Sequence, residues 1–276
     1  MSRGARTKKI WFTILAWSVI LTINFPLIWM ISSSLKNDQE NNSVPPTLLP
    51  QVLEFGNYAR LFNGDFMIWV RNSLLVAGGT VVIVIVLGTL AAYSLTRYQY
   101  RGRQAIATIV LFTYLFPPVL MLVPIFLIIS KLGLSNTPFA LILATTTFAL
   151  PFSIWLLRSY FESVSMDTEE AAMIDGASRF TAFIEIVIPQ VSPGVISTAI
   201  FTFILAWDEY LFASVLISSP ERKTVPIGIA SYANELTSEW GVLMAASILT
   251  TIPILALFSL LQRRLLPDLS AGATKN

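Results

Sequence analysis

The chain has 276 residues, 55% of them hydrophobic and 12% charged, with a mean hydropathy of +0.70. That excludes a soluble domain of ordinary composition and implies a polytopic membrane protein. A net charge of +2 without a basic stripe argues against nucleic acid, and the lack of Cys and His removes disulfides, thiol nucleophiles, imidazole acid–base catalysis and most zinc or transition-metal sites.

Apolar runs long enough to cross a bilayer lie at residues 10–32, 72–95, 105–129, 135–157, 192–217 and 241–261, which predicts an all-α fold with six transmembrane helices. The first run is longer than a signal-peptide core and no small-residue cleavage site follows it, so it is expected to remain as an anchor. Residues 33–71 follow as a turn-rich cap without a domain of its own, carrying Pro45, Pro46 and Pro50 and a short interfacial helix over residues 55–62. In the second run Gly78, Gly79 and Gly88, with Ala91 and Ala92, allow close helix contact. In the third, Pro117, Pro118 and Pro124 interrupt the helix and free backbone carbonyls, either as a bend beside a cavity or as a kink absorbed by packing.

A polar segment, residues 158–191, separates the fourth and fifth runs. Asp167 is placed to cap a helix whose third residue is Glu170, and acids in a first turn suit the helix dipole. Gly176 supplies a left-handed C-terminal turn, and Ser178 caps a second short helix running through Phe180, Phe183, Ile184 and Ile188 to Pro189. Small Ala171, Ala172 and Ala177 let another surface approach closely, while Glu169, Glu170 and Asp175 offer it charged contacts. The segment reads as a docking element, although a solvated connector shares the same capping pattern.

The fifth run carries Ala206-Trp207-Asp208-Glu209-Tyr210 in its outer half. A carboxylate facing lipid costs about 2.5–3.5 kcal/mol on insertion scales, so Asp208 and Glu209 are expected to face protein or water. Successive helical residues point about 100° apart, which would let only one of them line a pathway. Trp207 and Tyr210 offer aromatic faces suited to sugar rings. The cluster is a pathway or gate element, or else an interhelical hydrogen-bonding or interfacial anchor. Adjacent carboxylates on one helix do not converge on one point, so acid–base catalysis is not expected of them.

Lys and Arg set the orientation. Twelve of them, from Arg3, Arg6, Lys8 and Lys9 through Arg97, Arg101, Arg103, Arg158 and Arg179 to Arg263, Arg264 and Lys275, fall on one side, against six on the other: Lys36, Arg60, Arg71, Lys131, Arg222 and Lys223. The richer side is cytoplasmic, which puts both termini and the polar segment there. No Gly-rich phosphate loop occurs, so any ATP must be hydrolysed by another chain and this one is expected to bind no cofactor.

Glu170-Ala171-Ala172, Asp175-Gly176-Ala177, Phe183 and Pro189 together resemble the EAA loop of permease subunits in bacterial ATP-binding-cassette importers. Carbohydrate permeases of that group usually place a Pro where Ser165 stands. The similarity extends to Asn72-Ser73-Leu74, Leu132-Gly133-Leu134-Ser135-Asn136-Thr137, Trp155-Leu156-Leu157-Arg158, Ala206-Trp207-Asp208-Glu209-Tyr210 and Ala271-Gly272-Ala273-Thr274-Lys275, a pattern similar to the maltose-type second permease. Asp268 after Pro267 stands where that group has Gly.

The resemblance implies a type I importer permease in the bacterial inner membrane. It implies a transmembrane domain at 10–261 flanked by cytoplasmic tails at 1–9 and 262–276, with the coupling helix in the 158–191 loop. Implied partners are a second related permease, two ATPase subunits that bind ATP and Mg, and an external solute-binding protein. Implied coupling residues are Glu169, Glu170, Ala171, Ala172, Asp175, Gly176, Ala177, Phe183 and Pro189. Trp207, Asp208, Glu209 and Tyr210 remain the pathway candidates, and the implied solute is a sugar, oligosaccharide, polyol or sugar derivative. Related permeases carry glycerophosphodiesters, sulfonated sugars or polyamines. An ion-coupled secondary transporter is the other class, against which no internal inverted repeat is evident.

Overall fold

The computed structural model describes the backbone of residues 3–233 and 239–273 and the side chains of 11–233 and 239–260. Every regular element among them is helical. In chain order they are α1 (Arg3–Ser34), α2 (Asp38–Asn41), α3 (Gly56–Asn63), α4 (Phe66–Arg97), α5 (Arg103–Tyr114), α6 (Pro118–Lys131) and α7 (Pro138–Ser163). There follow α8 (Met166–Ile174), α9 (Arg179–Ala182), a π-helical turn at Phe183–Val187, α10 (Ile188–Gln190), α11 (Ser192–Trp207), α12 (Leu211–Leu216), a 3-10 turn at Pro220–Arg222, α13 (Val225–Ala230) and α14 (Trp240–Ala273).

Four helices are long and apolar enough to cross a membrane, at Trp11–Ser34, Phe66–Arg97, Pro138–Ser163 and Trp240–Leu260. Two bent pairs bring the number to six if each counts as one span: Arg103–Tyr114 with Pro118–Lys131, bent by 99°, and Arg179–Gln190 with Ser192–Trp207, bent by 74°. The outer helices run past the expected ends of their apolar stretches, from Arg3 and to Ala273, because the flanking residues include good helix formers such as Lys, Leu, Gln and Arg. Of the C-terminal motif, Thr274 and Lys275 lie outside the described residues.

The third expected span is broken by Pro117, whose extended backbone (ψ 126°) starts α6 afresh, while Pro124 is accommodated inside that helix. The break leaves an apolar cavity of about 530 Å³ beside it, lined by Ile109, Phe112 and Phe116 among others. The fifth expected span, 192–217, is likewise two pieces, since α11 stops at Trp207 and α12 begins at Leu211.

By internal packing the chain divides into two compact units, Met1–Phe66 with Ile229–Ile252, and Met67–Gly228 with Pro253–Asn276. In the first, the connection after α1 folds on itself. Lys36 is buried, donates to the Thr47 carbonyl and lies 4.8 Å from the Trp29 ring centre, so this cation is spent within the connection. Asn57 on α3, the expected interfacial helix, donates to the Ser34 and Lys36 carbonyls at 2.9 and 2.8 Å.

In the second unit α4 lies close along α7. A Cβ on Gly79 would stand 2.6 Å from Ile142 Cδ1 and one on Gly88 3.2 Å from Leu157 Cδ1, whereas one on Gly78 would meet no described residue of another element within 4 Å. The close approach therefore belongs to Gly79 and Gly88. Gly79→Leu is expected to lower the thermal midpoint of the purified assembly, since overpacking costs about 1–3 kcal/mol. Gly78→Leu should leave the midpoint unchanged, and equal midpoints for all three proteins would show that this contact does not hold the helices together. One core cluster gathers Val76, Ile129, Leu141, Ile142, Phe212 and Leu216. A second gathers Tyr93, Phe161, Phe183, Val187 and Val191, beneath the polar segment.

Candidate functional site

The polar segment begins at Ser165, whose backbone is extended and whose hydroxyl accepts the Asp167 N–H at 3.2 Å. Ser165, not Asp167, is therefore the cap of α8. The small hydroxyl reaches its second-following N–H directly, so the helix starts two residues earlier than expected and Asp167 sits in its first turn, where the dipole favours an acid. At the other end Gly176 has φ +96°. Its N–H donates to Met173 O at 3.1 Å and the Ala177 N–H to Ala172 O at 3.0 Å, the paired bonds of a Schellman termination. Ser178 then caps α9 through the Thr181 N–H at 3.1 Å, as expected. The continuation to Pro189 is not one uniform helix. Pro189 has no N–H and its ring crowds the carbonyl four residues back, and the chain widens into a π-helical turn over Phe183–Val187 just before it.

One face of this loop is committed inward. Glu169 is 4% exposed and its carboxylate receives Arg97 Nε at 3.1 Å and the Tyr93 hydroxyl. The same guanidinium donates to Val164 O at 2.9 Å, so Arg97 joins the end of α4, the end of α7 and the start of α8. The Tyr93 ring packs on Phe183 and Phe161 with centroids 4.6 and 5.9 Å apart. Glu169 and Phe183 thus correct the sequence reading: neither offers an outer contact, because the helix turns Glu169 towards the only buried guanidinium among the described residues and Phe183 into the core beneath. Tyr93, and Arg97 as anything beyond an orientation signal, escape the sequence reading. The available signal was an isolated Arg ending an apolar run with an aromatic residue one turn earlier.

The opposite face is open. Glu170, Ala171, Asp175, Gly176 and Pro189 are exposed, Ala172 and Ala177 are half-buried, and Ile174 and Phe180 are 86% and 72% exposed. Apart from its chain neighbours, no described residue lies within 4 Å of a Cβ built on Gly176. The arrangement is an acidic rim around small and apolar residues, held from behind by a buried ion pair.

At the break between α11 and α12 the four pathway candidates separate. Trp207 is fully buried and stacked on Phe203 at 5.6 Å beside Ala77 and Ala206, so it is a packing residue, corrected from a pathway candidate. The Glu209 carboxylate accepts the N–H groups of Phe212 at 2.7 Å and Ala213 at 2.9 Å and thereby caps α12. Asp208 and Tyr210 are exposed. Because the helix stops at Trp207, the 100° spacing no longer applies, and Asp208, Glu209 and Tyr210 all line one cavity of about 440 Å³ together with Thr145, Phe148 and Pro118.

Two motif fragments act as clamps. Asn72 donates to Glu221 O and Lys223 O at 2.8 and 2.9 Å, and Ser73 Oγ accepts the Val225 N–H at 2.8 Å. Asn136, in the left-handed region at φ 57°, receives the Ser218 and Ser219 N–H groups at 3.1 Å each and donates its own N–H to Leu216 O at 2.8 Å. These side chains fix the segment that leaves α12. Among the described residues no group of His, Cys, Asp or Glu could hold a metal ion.

The family described as "Binding-protein-dependent transport system inner membrane component" matches residues 84–271. The sulfoquinovosyl glycerol transport system permease protein SmoH of Agrobacterium fabrum is 37% identical over 93% of this chain and 91% of its own length. The trehalose/maltose transport system permease protein MalG of Thermococcus litoralis is 35% identical over 97% of both chains. Among solved structures, a chain of a bacterial ABC transporter involved in the import of the acidic polysaccharide alginate superposes with a TM-score of 0.82 and 25% identity, covering 95% of this chain and 98% of that one.

Proposed function

The chain belongs to the family of binding-protein-dependent transport system inner membrane components, and from that premise we propose that it forms, with a second related permease, the pathway of an ATP-driven importer for a sugar, oligosaccharide, polyol or sugar derivative. It is a multi-pass permease subunit of the inner membrane and no enzyme. ATP and Mg are bound and ATP is hydrolysed on two separate ATPase subunits, and a solute-loaded external protein delivers the cargo. Both termini and the α8–α9 loop face the cytoplasm, an orientation that the excess of Lys and Arg on that side supports.

The observation that carries the reading is the open face of that loop. In a chain this apolar, a doubly capped polar helix–turn–helix with an acidic rim is suited to sit in a cleft of a soluble partner. Closure of the ATPase pair moves the loop, the rigid connection through Arg97 carries the movement to α4 and α7, and the paired permeases turn their cavity outward. Hydrolysis returns it inward. The carbohydrate class is supported by the relatives' names, one a carrier of a sulfonated sugar derivative and one of disaccharides.

Purification of the tagged chain in mild detergent is expected to recover a second permease and an ATPase in stoichiometric amounts, and uptake into proteoliposomes should require ATP in the lumen, on the side that the ATPase subunits face, with the solute-loaded binding protein outside. Uptake that persists with an ATPase subunit unable to hydrolyse ATP, driven instead by an ion gradient, would establish the secondary-transporter reading in its place.

A further inference from the structure

The cavity between α6, α7 and the α11–α12 break holds three polar groups with different duties. Glu209 is spent on the two N–H groups that start α12. Asp208 beside it is exposed, and its carboxylate makes no hydrogen bond or ion pair with any described residue. Facing them from α7 is Thr145, 1% exposed, whose hydroxyl has no partner among the described residues. Thr80, Thr89 and Thr146 are likewise buried without a partner among the described residues, but of these helical threonines only Thr145 lines the cavity. A buried hydroxyl left unpaired costs about 1–3 kcal/mol, and Thr145 stands in the wall of the cavity.

The remaining wall is apolar or aromatic, including Phe148, Phe212 and the half-exposed ring of Tyr210. Among the described residues no Lys or Arg lines the cavity, and the formal charges there are the two carboxylates. We propose that this cavity is a solute subsite of the chain itself, which takes an uncharged, hydroxyl-rich solute and turns anions away. Asp208 accepts hydroxyl donors, the Thr145 hydroxyl takes one further bond, and the Tyr210 ring covers a C–H face. A carboxylate or sulfonate on the solute meets like charge with no counter-ion at hand. The inference rests on reading the chain as an importer permease and adds the solute's charge class and the residues that select it.

The absence of cysteine allows a direct test in the assembled transporter. Val119 also lines the cavity and carries none of the assigned roles, so Val119→Cys supplies a reporter thiol. It is modified in turn with a cationic trimethylammonium-ethyl and an anionic sulfonatoethyl methanethiosulfonate, with the unaltered assembly as background. The ratio of cationic to anionic rates is expected to fall by about threefold or more when Asp208→Asn is added. A ratio indifferent to that change, or a thiol that neither reagent reaches, overturns the subsite. Thr145→Val, which keeps the shape and removes the hydroxyl, is expected to raise KM for the solute the assembly transports several-fold, and an unchanged KM removes Thr145 from it. ATP-dependent uptake by the unaltered assembly is measured alongside. Uptake combined with charge-blind labelling discards the subsite and leaves the importer, whereas no ATP-dependent uptake discards the importer reading on which the subsite stands.

Discussion

Gly176→Val is expected to abolish solute uptake while the chain still inserts in the membrane in normal amount. The position has φ +96°, where an L residue pays about 1–2 kcal/mol and a β-branched one more. The two bonds that close α8, from Gly176 to Met173 and Ala177 to Ala172, depend on that conformation. Free energy of this size is small against the insertion of long apolar helices, but it is a factor of roughly 5–30 in the population of one loop conformation over another. The effect therefore falls on the angle between α8 and α9 and not on the fold. One companion separates the backbone role from a contact role. Asn tolerates the left-handed region, so Gly176→Asn preserves the turn and adds a side chain in the space that is empty in this chain. Uptake restored by Asn would assign Gly176 to turn geometry alone, and uptake lost with Asn as with Val would assign that empty space to the approaching partner. Radiolabelled uptake per unit of inserted protein is the readout, and normal uptake by the Val variant would sink the coupling role of the loop.

How much of this was legible in the sequence depends on whether the signal is local. The left-handed turn at Gly176 and the Ser178 cap follow from one residue each and its neighbours, and both are present as read. The break at Pro117 is local for the same reason. The bend at Asp208 is not, since no Pro or Gly lies at residues 206–210. The helix stops there because Glu209 folds its carboxylate onto the next helix's N–H groups, a choice between two helical starts that spacing alone does not reveal. Glu169 and Glu170 are adjacent and identical in type, yet one is buried and one exposed. Only the position of Arg97, 72 residues earlier, decides which. Trp207 was read by its chemistry as a sugar platform, whereas its volume fills the core beside Ala77 and Ala206.

The buried pair makes the second large prediction. Arg97 and Glu169 are 5% and 6% exposed in their side chains, and removing one charge leaves the other desolvated without a counter-ion. That typically costs about 3–5 kcal/mol, more than the pair's own net contribution, because both ions have already lost their water. Glu169→Gln and Arg97→Met are each expected to detach α8 from the ends of α4 and α7, which should appear as protease cleavage within residues 164–178 and a loss of uptake of at least tenfold. The joint variant, Arg97→Met with Glu169→Met, leaves no stranded charge. If the pair acts by holding the loop in place, the joint variant should regain protease resistance and much of the uptake, since an apolar contact of similar volume can replace a buried ion pair. If the charges themselves carry the signal, the loop becomes resistant again but uptake stays low and ATP hydrolysis runs uncoupled from transport. Tyr93→Phe removes only one hydrogen bond to the same carboxylate, at a cost of about 1 kcal/mol, and should stay close to normal in both measurements. Single variants that keep both a protected loop and full uptake would show that the connection from the loop to α4 runs elsewhere, through the aromatic packing of Phe183 against Tyr93 and Phe161.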